Sequence, residues 1–397
     1  MGSHIIKDVC RRLNRDILVV VVRLVLLLRA PESYKEFLAS RETDAQAFLD
    51  LLQNLLDHDS FLAIRPLLFK ALLRLSRASG LYPTCFALSG LQKVGHQVAA
   101  GSFGDIWKGL VRGQSVSVKI MRVFQETDVQ ATLKEFGREA VIWRQLCHPN
   151  LLPFFGLYYL DKRLCLVSPW MQNGNILEYL RKEPAGTNRL SLILDVALGV
   201  EYLHRNRVVH GDLKAINILV TPSRRACIAD FGLSSIADVI TLRFTHSTAI
   251  VRGGTTRYQA PELLRGESHN HFGSDVYAFA CVCYEILTGK APFFEIFNDA
   301  AVMFKVLGGS RPARPDGCFD GLWDLLQDCW KENQAERPTS GQIVQRLVGP
   351  SILATTTQST TDWDEEFSSK FRRSLQIQPL LPSVTQIEHM IFGDGSF

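Results

Sequence analysis

Three textures follow one another along the chain. From Asp44, the residues Ala45, Phe48, Leu49, Leu52, Leu55 and Leu56 recur at helical spacing, with Asp44 placed to cap the helix. Pro66 opens a second helical pattern, with Leu67, Leu68, Ala71, Leu72 and Leu75 on one face and Lys70, Arg74 and Arg77 off it. Gly80 and Pro83 end it. Near Leu91 the period shortens to that of strands. Val94 to Val98, Ile106 to Val111 and Ser115 to Met121 are β-branched runs separated by turns at Gly101, Gly104 and Gly113, which predicts hairpins of an antiparallel sheet. Beyond Gly174 the pattern is mainly helical again. From Gly349 a polar tract, Ala354 to Thr361, reads as a linker. Asp362 to Leu375 then reads as a charged amphipathic helix, and Ile377 to Leu381 as an apolar docking segment. The pattern therefore predicts a helical N-terminal region over 1–85, a central body over 91–348, and a linker and tail over 349–397.

Composition narrows the class. The 397 residues are 46% apolar and 21% charged, enough to bury a core, and a net charge of +4 is too small for this length to argue nucleic-acid binding. Nine cysteines include no Cys-x-x-Cys pair, and Cys281 and Cys283 sit in an apolar run and read as packing. That cysteine usage favours a reducing, cytoplasmic setting. Ile17 to Leu28 is strongly apolar, but Arg23 interrupts it and it falls short of the roughly 20 apolar residues that a spanning helix needs. The expectation is a soluble chain with no transmembrane segment.

The chemistry concentrates in His210-Gly211-Asp212-Leu213-Lys214-Ala215-Ile216-Asn217, with Asp230-Phe231-Gly232 beginning thirteen residues after Asn217. A carboxylate able to take a hydroxyl proton, a lysine able to neutralise phosphate, and an amide and second carboxylate able to hold a metal together describe phosphoryl transfer. This pair of motifs resembles the catalytic and metal-binding loops of the eukaryotic protein kinases. The resemblance implies an α+β, two-lobed protein kinase fold: a small antiparallel β lobe with a C-helix, and a large helical lobe, here preceded by a helical segment.

By that resemblance the nucleotide loop is Val98-Ala99-Ala100-Gly101-Ser102-Phe103-Gly104-Asp105-Ile106. Ala99 replaces the first glycine of the family pattern and Ile106 replaces its valine, while Gly101 and Gly104 remain to let backbone N–H groups approach phosphate. Val116-Ser117-Val118-Lys119 alternates as a buried strand ending in a lysine that needs an anionic partner. The resemblance supplies phosphate oxygens and Glu139 of the C-helix, with Glu135 the other candidate. It makes Leu164 to Met171 the adenine-holding strand and hinge, with Ser168 at the back of the pocket, a carbonyl from Pro169 and an N–H donor from Met171. It assigns Asp212 to the substrate hydroxyl, Lys214 to the γ-phosphate, and Asn217 and Asp230 to Mg²⁺, so that ATP and Mg²⁺ are the expected cofactors. Gly211 stands where many family members carry an arginine that pairs with a phosphorylated activation loop, which predicts independence from that control.

Thr255 in Gly254-Thr255-Thr256-Arg257-Tyr258-Gln259-Ala260-Pro261-Glu262 is expected beside Asp212 and Lys214, Glu262 opposite Arg337, and Asp275 bracing the catalytic loop. Lys214 and Thr255 resemble serine/threonine kinases. Trp143 to Leu146, His148 to Leu152 and Ser274 to Phe279 resemble the tyrosine-kinase-like group of these, and the pairing of His210-Gly211-Asp212 with an N-terminal helical segment resembles expanded kinase families of mushroom-forming fungi. The expected partners are ATP and a protein substrate, with a further protein for the N-terminal helices. The competing class is a pseudokinase scaffold, favoured only by Ala99 and Gly211. The hydroxyls Ser234, Ser235, Thr245, Ser247 and Thr248 are candidate autophosphorylation sites.

Overall fold

The computed structural model describes residues 18–57, 59–100, 104–121, 137, 139–160, 163–183, 187–231, 235–236, 256–349, 361–364, 367–368 and 370–371. The chain falls into two compact units. One comprises Met1–Phe86 with Val123–Gln145, the other Ala87–Arg122 with Leu146–Phe397.

The first unit is helical. Helix α1 covers 18–29, α2 is Pro31–Ala39, α3 is Glu42–Leu56 and α4 is Arg65–Ser79. The apolar periods foreseen from the sequence become its core: Ala45, Leu49, Leu52, Leu68, Leu72 and Leu75 are fully buried. Asp44 is not the cap of α3. Arg41, in extended backbone, holds that position, and Asp44 lies in the first turn, where a carboxylate still complements the helix dipole. Gly80 ends α4 as foreseen, in a left-handed conformation (φ 75°) that glycine adopts without a Cβ clash. Residues 139–144 form helix α5, with Ala140, Val141 and Ile142 at 0% exposure. No helix among the described residues is long and apolar enough to cross a membrane.

In the second unit, β1 (Leu91–Ala100), β2 (Gly104–Val111), β3 (Gln114–Met121), β4 (Gly156–Leu160) and β5 (Arg163–Pro169) make an antiparallel sheet ordered β1-β2-β3-β5-β4. Alternation puts Val116 and Val118 on its buried face, with Val111, Phe155, Cys165 and Val167. The tail joins this core. Phe371 stacks on Phe155 at 3.6 Å between centroids, Trp363 Nε1 donates to the His148 carbonyl (3.1 Å), and Asp362 accepts from the Ser223 backbone N–H (3.0 Å). Ile377 to Leu381 lie outside the described residues.

The helical lobe contains α6 (Ile176–Lys182), α7 (Arg189–Arg205), the short strands β6 (Val208–Val209), β7 (Ile218–Val220), β8 (Ala226–Ile228) and β9 (Ser235–Ile236), then α8 (Pro261–Leu264), α9 (Phe272–Thr288), α10 (Asp299–Leu307), α11 (Asp320–Cys329) and α12 (Ser340–Val348). Every residue of α9 from Ser274 to Ile286 is buried, as expected of a helix apolar on all sides. Cys281 and Cys283 are part of that packing, and Cys281 Sγ accepts from Trp330 Nε1. Fully buried Asp195 on α7 accepts from Arg225 Nε and from the Ala226 backbone N–H (2.9 Å), which fixes β8 and so the chain that leads to Asp230.

Candidate active site

The catalytic loop runs between β6 and β7, and its shape is set from beneath by α9. Asp275, 1% exposed, accepts from the backbone N–H of His210 (2.8 Å) and of Gly211 (2.9 Å), and His204 Nε2 lies 3.0 Å away. Burial pushes its carboxyl up, but His204, His210 and the Gly211 N–H outweigh this and hold it below its ordinary range. These bonds hold Gly211 at φ 80°, a backbone state free of Cβ strain only for glycine. His210 Nδ1 accepts from the Asp212 N–H (3.2 Å), and the His210 ring meets Phe231 edge-on. Both rings are buried, at 0% and 1% exposure.

Five predicted polar groups converge above this support. Lys214 Nζ donates to Asp212 Oδ2 (2.7 Å), and Asn217 Nδ2 donates to the Asp212 carbonyl (2.9 Å). The Asn217 carbonyl accepts from the Ala229 N–H (2.8 Å), which ties this loop to the turn bearing Asp230. Asp230 has left-handed backbone (φ 64°), uncommon for a non-glycine residue and typical of functional turns. Its Oδ1 accepts from Lys119 Nζ at 2.8 Å. Burial raises the Asp230 carboxyl, but the Lys119 charge and hydrogen bond, with His210 and Lys214 beyond, hold it below the ordinary carboxylate range. Lys119 reaches this point from β3, in register with Ile106 of β2 and Leu166 of β5. Glu139 was the foreseen partner of the β3 lysine, and Asp230 is a partner that the sequence reading did not name for it. Glu139 stands on α5 in the first unit, 4% exposed.

Other predicted residues fall as follows. Ala99 pairs with Ile106 and Ala100 with Asp105 across the β1–β2 hairpin, Gly104 pairs with Met121, and Val98 is 55% exposed. Gly101, Ser102 and Phe103 lie outside the described residues, as do Glu135, Gly232, Ser234, Thr245, Ser247, Thr248, Gly254 and Thr255. On β5, Ser168 pairs with Ser117 and Pro169 with Val116, and Met171 follows, 7% exposed. Asn217 carries an amide oxygen and Asp230 a carboxylate, donor types that suit a hard divalent cation, on two loops tied by the bond from the Ala229 N–H to the Asn217 backbone carbonyl.

Three contributors were not singled out from the sequence. Tyr258 donates to Glu285 on α9, linking the substrate-side loop to the helix beneath it. Burial lifts the Glu285 carboxyl above its ordinary range, against the Tyr258 hydroxyl and the Ala215 N–H. Arg257 donates to Asp299 Oδ1 (2.9 Å) and to the carbonyls of Phe293 and Ile296 (2.7 Å each). A lone carboxylate inside the apolar run of α9 was the signal for Glu285. Nothing local marked Arg257. The Glu262–Arg337 pair forms as foreseen, bidentate at 2.7 and 2.8 Å.

A β sheet that presents a lysine to a carboxylate turn, above a helical lobe that presents an Asp–Lys–Asn loop, is the arrangement of a protein kinase. Residues 92–347 match the family model described as "Protein tyrosine and serine/threonine kinase", and the chain belongs to that family. It is 32% identical over 260 residues to serine/threonine-protein kinase STY46 of Arabidopsis thaliana, covering 64% of this chain and 43% of that protein. It is equally similar to the Arabidopsis serine/threonine/tyrosine-protein kinase HT1 (32% over 260 residues, 64% and 65%). With the dual specificity protein kinase shkC of Dictyostelium discoideum it shares 33% identity over 260 residues, 63% of this chain and 49% of that protein. The chain thus spans less than two thirds of the length of each of these relatives.

Proposed function

We propose that this chain is a protein serine/threonine kinase that uses Mg-ATP to phosphorylate a protein hydroxyl in intracellular, cytoplasmic signalling. The observation that carries the reading is the convergence of Asp212, Lys214 and Asn217 with the Lys119–Asp230 pair. Bound Mg-ATP supplies the transferable phosphoryl group and the metal charge that neutralises it. Asp212 would take the proton of the substrate hydroxyl as the hydroxyl oxygen bonds the γ-phosphorus and the bond from that phosphorus to the ADP leaving group breaks. Lys214, 2.7 Å from Asp212, then meets the charge that develops between hydroxyl and phosphate. Lys119, with Glu139, would neutralise phosphate oxygens, and Asn217 and Asp230 would hold the metal. Val98 to Gly104 and Ile106 cover the nucleotide, and Pro169 and Met171 hold its base. Serine/threonine preference rests on Lys214, two residues after Asp212, and on the similarity to the serine/threonine-protein kinase STY46.

The test is transfer of labelled γ-phosphate from Mg-ATP to the protein and to a generic basic protein, with Asp230→Asn in parallel. Phosphoserine or phosphothreonine that disappears in the variant is the expected result. No transfer above the variant, with the wild type folded, overturns the reading in favour of a scaffold.

A further inference from the structure

Helix α1 is apolar on two opposite faces, and only one of them is covered. Val21, Leu24 and Leu28 are buried, at 4–6% exposure. On the other side of the helix, Leu18, Val19, Val22 and Leu26 recur at i, i+1, i+4 and i+8 and are 46–63% exposed. With Val20 they are five of the thirteen large apolar residues exposed among the described residues, and they fall within nine consecutive positions. Single exposed valines and leucines are ordinary, whereas a contiguous set marks a binding surface. Arg23 and Leu26 also line an open groove of about 590 Å³, whose apolar walls include Leu27, Phe37 of α2 and Phe48 of α3. The apolar surface is therefore broader than one helix stripe.

The charges that accompany this face are of one sign. Arg23 lies one turn from Val19 and Leu26, Arg29 lies one turn from Leu26, and both arginines are exposed. Lys7, Arg11, Arg12 and Arg15 precede the helix, against Asp8 and Asp16. Residues 1–30 thus hold six basic and two acidic side chains, a net +4. That equals the formal charge of the whole chain, so residues 31–397 sum to zero. All the net positive charge is gathered in the thirty residues that contain the exposed apolar face.

A protein interface draws its specificity from aromatic anchors and matched hydrogen-bonding groups. The exposed face of α1 offers no aromatic, amide, hydroxyl or acidic side chain, only aliphatic groups and guanidinium. An anionic bilayer suits both. Aliphatic side chains enter the boundary of the acyl layer, and arginines reach the lipid phosphates along their own apolar stems. Because Val21, Leu24 and Leu28 are already buried in protein, α1 lies along such a surface and does not cross it.

We propose that the exposed face of α1, with Arg23 and Arg29, is a peripheral binding site for a bilayer rich in anionic phospholipid and holds the chain at that surface. Each basic side chain close to an anionic surface contributes about fivefold to affinity. Attachment by one aliphatic face and a few arginines is reversible, and it weakens as salt screens the charges.

The experiment sediments the full chain with vesicles of phosphatidylcholine alone or with about 30 mol% phosphatidylserine. Binding to the anionic vesicles is expected to be at least tenfold tighter than to the neutral ones, and to weaken at least fivefold when salt is raised from about 0.1 to about 0.5 M. Val22→Glu with Leu26→Glu, and separately Arg23→Glu with Arg29→Glu, should each lower the anionic-vesicle affinity at least tenfold, with the circular dichroism and Tm of wild type retained. Should either pair fail to fold, Val22→Ser with Leu26→Ser and Arg23→Gln with Arg29→Gln take its place, with the loss at least fivefold. A folded wild type that does not bind anionic vesicles, or binds neutral ones as tightly, overturns the inference. Binding that survives both pairs of substitutions does the same. Self-association that disappears in Val22→Glu with Leu26→Glu, without vesicle binding, would give the face to a second copy and also overturn it. Vesicle binding is read without phosphotransfer, so its failure and the failure of the kinase reading are separate outcomes.

Discussion

Arg337 offers the sharpest separation of stability from chemistry. Its side chain is 1% exposed and makes five hydrogen bonds, two to Glu262 and one each to the carbonyls of Lys331, Glu332 and Gly273. Arg337→Ala removes all of them and leaves a carboxylate that is 9% exposed with no guanidinium. Burial alone would raise the Glu262 carboxyl, yet Arg337, with His271 alongside, brings it from 4.5 to about 2. A depression of that size corresponds to about 3 kcal/mol at neutral pH, within the roughly 3–5 kcal/mol that breaking a buried pair usually costs. For a domain of this length that is a fall in Tm of roughly 10 °C. The sign of the pH dependence follows. Because the folded pKa is depressed, the stabilisation is complete above the ordinary pKa of 4.5 and is lost as pH falls toward about 2. Without Arg337 the carboxyl loses the largest of the interactions that depress it, with His271 still alongside. The gap in Tm between wild type and Arg337→Ala should therefore narrow as pH falls below 4.5. Thermal unfolding followed by intrinsic fluorescence, with phosphotransfer assayed well below both midpoints, measures all of this. A Tm within 2 °C of wild type together with abolished transfer would refute the structural assignment, as would a gap that widens on acidification.

Asp275→Ala leaves the buried N–H groups of His210 and Gly211 without an acceptor, at about 1–3 kcal/mol each. Phosphotransfer should fall more than tenfold while nucleotide affinity, read by fluorescence titration, changes less than threefold. Tyr258→Phe leaves the Glu285 carboxyl, which burial already lifts, without its side-chain donor, and should raise KM for the protein substrate with KM for ATP unchanged. Steady-state kinetics with each substrate varied in turn tests it. Phe371→Ala empties the place stacked on Phe155 and should cost about 3–5 kcal/mol by urea unfolding, where a cost below 1 kcal/mol would show that the tail does not support the sheet.

Local chemistry made much of this protein legible before any coordinates. The leucine period of α3 and α4, the alternation in β3 and the glycine after α4 each arise from interactions within a few residues, so the chain states them directly. The motif residues of the large lobe were legible for a related reason. Asp212, Lys214 and Asn217 lie within six consecutive positions, and one loop is enough to bring them together. Glu285 and Arg257 were not, because a carboxylate in an apolar helix or an arginine in a loop acquires meaning only from what packs against it. The place of the tail was not legible: Phe371, in the stretch read as an amphipathic helix, joins the core of the sheet, and its partner Phe155 lies more than two hundred residues earlier.

The sequence alone thus determined the elements, their order and the set of reacting groups, since periodicity and motif spacing are properties of neighbours. Tertiary structure decided which groups meet. It turned Lys119 to Asp230, laid Asp275 under the catalytic loop, and gave α5 to the N-terminal helices through Gln53 and Gln145. Each of those choices joins residues at least sixty positions apart, and is made by burial, where a polar group without its partner is too costly to keep.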